Sequence, residues 1–183
     1  MSLPGPYFTY EDYKLMPEEK RCEIIEGDLL MTPSPVFRHQ AIQMRLSLKL
    51  FSFIEERDLG QVVAAPMDVI LSLENVVQPD VLYIAKERSS IFDRIGHVHG
   101  APDLTVEILS PSTAPRDQVL KRKLYGRFGV REYWIVDPET QNVEVLTLAG
   151  STFETWQRFT ADQTLASPLL PGLSIKLGDI FKL

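Results

Sequence analysis

The chain has 183 residues, the length of one ordinary domain. Its 44% hydrophobic and 24% charged residues lie near the globular average, which excludes a disordered or fibrous protein. No run of about 18 apolar residues predicts a membrane span, and the start lacks the basic and apolar regions of a secretion signal. Because Cys22 is the sole cysteine, a disulfide framework and a cysteine zinc site are excluded, and a cytoplasmic protein is expected.

The net charge of −6 disfavours a sequence-independent nucleic-acid binder, since such proteins usually carry a strong basic footprint. The segment from Arg116 to Arg131 differs from the rest, because it holds six bases and one acid. A local patch of this kind can attract phosphate. The alternative, which composition alone favours, is a solvated helix face.

The first third of the chain predicts a short helix, a hairpin and a long helix. Thr9 caps the short helix, which extends to Leu15, and the hairpin pairs Cys22–Ile25 with Leu29–Met31. The long helix runs from Val36 to about Arg57 and is apolar on one face. The apolar residues of that face are Ile42, Leu46, Leu50, Phe53 and Ile54.

After Gly60 the pattern becomes β-rich. Four runs rich in β-branched residues, divided by turn residues, predict strands at Val62–Ala65, Met67–Leu73, Val76–Ile84 and Leu104–Leu109. The polar segment from Lys86 to Gly96 predicts a helical turn or a loop between them.

The last third predicts a second helix followed by more strands. Pro115 opens this helix, which spans Arg116–Phe128, and Gly129 closes it. The predicted strands that follow are Val130–Val136, Asn142–Leu148, Thr152–Phe159 and Leu173–Leu177. This order predicts one α/β or α+β domain over residues 1–183, with a mixed central β-sheet flanked by helices and a β-rich hairpin region added near the end.

Two carboxylates occupy positions where the strand pattern calls for apolar side chains. Glu107 lies inside the run Leu104–Leu109, and Asp80 lies inside Val76–Ile84. An ionised carboxylate in a strand covered on both faces is costly unless it is paired or bound to a metal. Carboxylates on neighbouring strands can converge on a hard divalent cation. The alternative is a hydrated strand edge or a structural pair with an arginine.

The second helix places a lysine on its packing face. At 100° per residue, Asp117, Lys121 and Tyr125 share the stripe of Leu120 and Leu124 that faces the sheet. A lysine on such a face needs a carboxylate or phosphate partner. The alternative is a common i,i+4 pair between Asp117 and Lys121.

Together these three charges predict a hydrolytic site. Asp80 and Glu107 would hold a divalent metal ion, and Lys121 would orient a water or stabilise charge on phosphorus. This is the equipment for metal-assisted hydrolysis of phosphodiesters.

Three segments of the chain resemble a known family. Val77–Asp80, Ala101–Thr113 and Gly129–Pro138 are similar to the Uma-type restriction endonuclease family of the PD-(D/E)XK nuclease superfamily. The resemblance runs from about Phe8 to Phe181. It implies a helix–three-strand–helix–strand core, which agrees with the predicted order of elements.

The resemblance also implies roles for individual residues. Asp80 is the motif aspartate, Glu107 is the (D/E) position, and Glu23 is the upstream acid. The chain departs from the pattern at Leu109, where the superfamily has lysine, and Lys121 is the candidate for a relocated lysine. Asp103, in a second Pro-Asp pair, is excluded because it lies on the same strand as Glu107 and cannot face it across a metal.

The histidines give weaker signals. His39 lines up with Ile42, which favours a histidine at the core boundary with its hydrogen bonds satisfied. The alternative is an auxiliary role beside the site. An auxiliary role is also expected for Asp117. His97 and His99 are interpreted as loop residues rather than metal ligands, since no cysteine is near.

The leading hypothesis is therefore a Mg²⁺-dependent endonuclease acting on DNA, with Mn²⁺ as a substitute ion. A symmetric homodimer suits this activity, because cutting both strands of a duplex requires two sites related by a two-fold axis. The rival hypothesis is a non-catalytic nuclease-fold module for binding or dimerisation, which Leu109 and the acidic charge favour.

Overall fold

The computed structural model describes residues 6–17, 21–93, 96–111 and 114–182. In chain order, the described elements are α1 (Tyr10–Tyr13), β1 (Cys22–Ile25), β2 (Asp28–Met31), α2 (Phe37–Glu56), β3 (Gly60–Ala64), β4 (Val69–Ser72), β5 (Asn75–Val77), β6 (Val81–Ala85), a 3₁₀ helix (Lys86–Ile91), β7 (Val98–His99), β8 (Leu104–Ile108), a π-helical segment (Arg116–Lys121), α3 (Arg122–Phe128), β9 (Glu132–Asp137), β10 (Asn142–Ala149), β11 (Thr152–Thr160), β12 (Thr164–Leu165), β13 (Ile175–Lys176) and α4 (Leu177–Phe181).

The strands of the described residues form three sheets. The largest has the order β11-β10-β9-β8-β6-β3, in which β8 and β9 run parallel and the other neighbours run antiparallel. The second has the order β2-β1-β5-β4-β7, and β12 pairs with β13 in a small third sheet. The predicted mixed α+β class is confirmed, with the β10–β11 hairpin as the added β-rich region.

The packing of the long helix α2 against strand β8 determines which side chains of β8 face away from the helix. The buried face of α2, which includes Leu46 and Leu50, packs in one cluster with Leu104, Val106 and Ile108 of β8. Because side chains alternate along a strand, Thr105 and Glu107 point to the opposite face of the sheet. Glu107 is thereby directed away from α2.

Asp80 lies in the short segment that connects two sheets, and not inside a strand. The predicted strand Val76–Ile84 is two strands, with β5 in the five-stranded sheet and β6 in the six-stranded sheet. Pro79 separates them, because proline has no N–H to donate to a ladder. Asp80 therefore sits immediately before β6.

The predicted second helix begins with a π-helical segment, Arg116–Lys121, before the regular α3. A π turn changes the angular spacing of side chains, so the 100° rule fails over these six residues. Asp117, Lys121 and Tyr125 are buried as predicted, but Leu120 is 44% exposed. The predicted place of Leu120 on the packed stripe was wrong for this reason.

Among the residues that the structure describes, no helix is long and apolar enough to span a bilayer.

Candidate functional site

Four acidic side chains from separate elements line one cavity of about 430 Å³. We name them the acidic cluster: Glu23 on β1, Asp80 before β6, Glu107 on β8 and Asp117 in the π-helical segment. Glu23, Glu107 and Asp117 are almost fully buried. All the acids proposed from the sequence thus meet in one place, together with Lys121.

Lys121 lies between the members of this cluster. Its Nζ is 2.8 Å from Glu23 Oε1, 2.9 Å from Glu107 Oε1 and 3.7 Å from Asp117 Oδ1. Only 2% of the Lys121 side chain is exposed. The i,i+4 pair with Asp117 is therefore the longest of its three ion pairs, and the nearest partners of the lysine come from the two sheets.

The charge state of these two groups follows from their surroundings. Burial opposes the charge on Lys121, but the carboxylates of Glu107 and Glu23 outweigh it and raise the pKa of Lys121. Burial raises the pKa of Glu107 well above its usual range, and the attraction of Lys121 offsets this only in part. The Tyr125 hydroxyl also donates to Glu107 Oε1 at 2.7 Å. Lys121 is thus a protonated cation, and Glu107 binds a proton more readily than an ordinary carboxylate does.

Asp80 contacts the backbone next to Glu107. Its Oδ2 accepts the backbone N–H of Ile108 at 2.7 Å, and Val81 pairs with Val106 in the β6–β8 register. The pairing ends there, one residue short of Asp80 and Glu107. The two proposed metal ligands therefore lie next to the end of the β6–β8 pairing, and both line the cavity.

His39, in the first turn of α2, contacts the same aspartate. Its Nε2 is 3.2 Å from Asp80 Oδ2. Burial lowers the pKa of His39, but the hydrogen bond and charge of Asp80 outweigh burial and raise it. The structure therefore places His39 at the cavity, as an auxiliary role beside the site requires.

Arg116 and Gln43 also line the cavity, and the sequence did not single them out as site residues. Arg116 NH1 is 3.3 Å from Glu23 Oε2, and its Nε is 3.6 Å from Asp117 Oδ1. Gln43 Nε2 donates to the backbone carbonyl of Asp80 at 2.9 Å. In the sequence, the place of Arg116 in the basic segment beside Asp117 could have indicated a site residue, whereas no sequence pattern indicates Gln43.

Asp103 lies outside the cavity. Its carboxylate is paired with Arg88 at 3.0 Å and Arg131 at 3.4 Å, and it accepts the Ala85 N–H at 2.9 Å. These contacts account fully for its burial. Its exclusion as the motif aspartate agrees with this placement.

The donor set of the cavity fits a hard divalent cation. Mg²⁺ and Ca²⁺ prefer carboxylate oxygens and water. Three permanently charged bases, Arg21, Arg116 and Lys121, also line the cavity, so the four acids exceed them by one charge when all four are ionised. Asp80 is the least buried of the four acids, and it could hold such an ion together with Glu107.

The raised pKa of Glu107 predicts an unusual pH dependence of stability. A carboxyl whose pKa is higher in the folded state binds more protons there, so its contribution to stability falls as pH rises through the raised pKa. The quantity to measure in EDTA is the unfolding free energy of the wild type minus that of Glu107→Gln. We expect this difference to decrease as the pH rises from about 4.5 toward neutrality. Urea titrations across this pH range measure the difference. A difference that rises with pH would contradict this assignment.

Comparisons with known proteins show the family and the fold of the chain. Residues 9–178 match the model of the Uma2 family, whose description is "Putative restriction endonuclease". The crystal structure of a protein described as a "putative nuclease belonging to DUF820", from Anabaena variabilis, is similar with a TM-score of 0.79 and 24% identity. The similarity covers 95% of this chain and 97% of that one, and it shows a shared fold. The search of curated proteins gave no match.

Proposed function

The chain belongs to the Uma2 family, and from this premise we propose that it is a Mg²⁺-dependent endonuclease that hydrolyses DNA phosphodiester bonds in the cytoplasm. The family description supports a nuclease-like function. The metal dependence, the DNA substrate and the residue roles are our proposal from the cavity.

One observation carries the proposal: Asp80 and Glu107 line the same cavity, and Lys121 donates to Glu107 at 2.9 Å. A lysine two residues after the glutamate is the superfamily pattern, and this chain has Leu109 there. Lys121 provides an ammonium group at the same carboxylate from another element. The departure at Leu109 is therefore compatible with an intact site.

The roles follow from the contacts. Asp80 and Glu107 would hold the divalent ion, which when bound supplies Lewis acidity to the scissile phosphate and to an attacking water. Lys121 would stabilise the negative charge that develops on the phosphoryl oxygens. His39 and the Ile108 N–H hold Asp80 in place and act as positioning groups. Glu23 and Arg116 position Lys121 and Asp117.

Plasmid cleavage tests this function. We expect the purified protein to convert supercoiled plasmid to nicked or linear DNA in Mg²⁺ or Mn²⁺ and to stop when EDTA is added. Glu107→Ala should abolish cleavage, because it removes a metal ligand. Equal nicking by both proteins would mean that a contaminant or another site cuts the DNA.

The rival function is a non-catalytic binding or dimerisation module. The observation that favours it is that Lys121 is fully buried and already bonded to Glu23 and Glu107. Calorimetry separates the two, because the module predicts no Mg²⁺ binding that depends on Asp80.

We also propose that the protein forms a symmetric homodimer through the exposed face of α2. Four large apolar side chains lie along that face, opposite the buried stripe, and each is between 50% and 79% exposed. They are Phe37, Met44, Leu48 and Phe51. Such a stripe is self-complementary when two copies meet about a two-fold axis, and the axis would relate two sites as double-strand cleavage requires.

The oligomeric state tests this surface. Light scattering on a sizing column should give twice the chain mass for the wild type and the chain mass for Leu48→Glu. Lys49→Glu, on the same helix but outside the stripe, should remain dimeric. A monomeric wild type would contradict the homodimer.

A further inference from the structure

A second group of ligand-type side chains lies outside the acidic cluster, around strand β7. Asp93, His97 and His99 each offer one ligand atom, and these three atoms lie within 4.8 Å of one another. We name them the histidine cluster, and none of the three lines the cavity of the acidic cluster. We propose that the histidine cluster binds a transition-metal cation of the Zn²⁺ type, separate from the hydrolytic metal.

The distances are close to those of a metal site. Asp93 Oδ2 is 2.9 Å from His99 Nε2 and 3.7 Å from His97 Nδ1. Ligands bound to Zn²⁺ at 2.0–2.1 Å in a tetrahedron are separated by about 3.3 Å. Small shifts of the side chains would therefore place the three atoms around one ion.

The backbone orients the carboxylate for this purpose. The Asp93 N–H donates to the His97 carbonyl at 2.9 Å, and the His97 N–H donates to Asp93 Oδ1 at 2.8 Å. One oxygen of Asp93 is used to close the turn, and the other, Oδ2, faces both imidazoles. An outer hydrogen bond that fixes a ligating carboxylate is typical of metal sites.

The sheet holds His99 in register. His99 lies on β7 and pairs with Ile70 of the parallel strand β4, and the Gly100 N–H donates to the Ile70 carbonyl at 2.9 Å. Phe92 forms a bridge with Val98. Phe92, Val98 and Gly100, which are neighbours of the ligands in the chain, are thus bonded to the sheet or to each other, so less ordering is required when an ion binds.

Tyr10 contacts both imidazoles, and its hydroxyl would have to turn away from His97 Nδ1 when that nitrogen binds the ion. Its hydroxyl is 3.3 Å from His97 Nδ1, and its ring packs edge-on to the ring of His99 at 6.2 Å.

The ligand chemistry separates the two sites. Two imidazoles and one carboxylate favour Zn²⁺, Ni²⁺ or Cu²⁺ over Mg²⁺, whereas the oxygen ligands of the acidic cluster favour Mg²⁺. The side chains of the histidine cluster are partly exposed, so the ion has a route from solvent. The sequence predicted loop residues here because no cysteine is near, whereas the structure places His99 on β7 and brings Asp93 to both imidazoles.

Calorimetry with Zn²⁺ tests the proposal. The full, untagged chain is freed of metal with EDTA, dialysed, and titrated with Zn²⁺ in excess Mg²⁺. We expect one Zn²⁺ ion per chain, and His99→Ala or Asp93→Asn should weaken the affinity by at least about tenfold. His39→Ala removes the third histidine of the chain and should leave this binding unchanged.

Two results would overturn the site: no Zn²⁺ binding by the wild type, or wild-type affinity in both His99→Ala and Asp93→Asn. If a variant fails to fold, Co²⁺ added to the wild type decides, because four-coordinate Co²⁺ absorbs visible light far more intensely than six-coordinate Co²⁺. Weak, six-coordinate absorption would count against the proposal. DNA cleavage is not the readout, so this site can fail while the proposed function stands.

Discussion

Replacing Lys121 by methionine should lower the free energy of unfolding by about 3–5 kcal/mol in EDTA near neutral pH, the usual cost of removing one partner of a buried pair. The variant leaves the carboxylates of Glu23 and Glu107 buried without the ammonium that lies 2.8 Å and 2.9 Å from them. Urea unfolding followed by circular dichroism measures the loss. Added Mg²⁺ should restore part of the stability, since it binds the folded state and neutralises the same acids.

Lys123→Met is the matched control, because Lys123 is exposed on the same helix. Its unfolding free energy should stay within about 0.5 kcal/mol of the wild type. If both variants lost the same stability, the buried ion pairs of Lys121 would not be the cause.

Asp80→Asn should abolish measurable Mg²⁺ binding and lower plasmid cleavage by about a hundredfold or more, since it removes a charged ligand from the proposed ion. The asparagine retains the size of the side chain and an oxygen acceptor for the Ile108 N–H. Calorimetry and cleavage rates measure the two effects separately.

Asp103→Asn provides the contrast. It changes the other Pro-Asp pair of the chain, whose carboxylate bonds Arg88 and Arg131 outside the cavity. We expect this variant to be less stable but to bind Mg²⁺ as the wild type does. The opposite result, loss of binding in Asp103→Asn but not in Asp80→Asn, would exchange the roles of the two aspartates.

Much of the fold could be predicted because the apolar patterns are local. The one-sided pattern of α2 located its buried face, and the predicted strands Asn142–Leu148 and Thr152–Phe159 located the β10–β11 hairpin. Two predictions failed at places where the regular repeat of a strand or of an α-helix is interrupted. Pro79 divides a run of apolar residues between two sheets, and the π turn moves Leu120 out to solvent.

The acids of the cavity could be found from the sequence, but not distinguished from other buried acids by pattern alone. Glu132 also lies buried in a strand, where it accepts Trp134 Nε1 at 2.6 Å, Ser167 Oγ at 2.6 Å and the Leu169 N–H at 2.9 Å. These neutral donors satisfy it without a metal. Because Ser167 is 35 residues away in the chain, no local pattern reveals this difference.

The proposal depends on one cation being held by Asp80 and Glu107 next to Lys121. A crystal of the protein soaked in Mn²⁺, examined by anomalous scattering, tests this most directly. We predict a peak with oxygen atoms of both carboxylates at about 2.0–2.6 Å. A fully occupied Mn²⁺ peak elsewhere, with Asp80 and Glu107 free of metal, would contradict it.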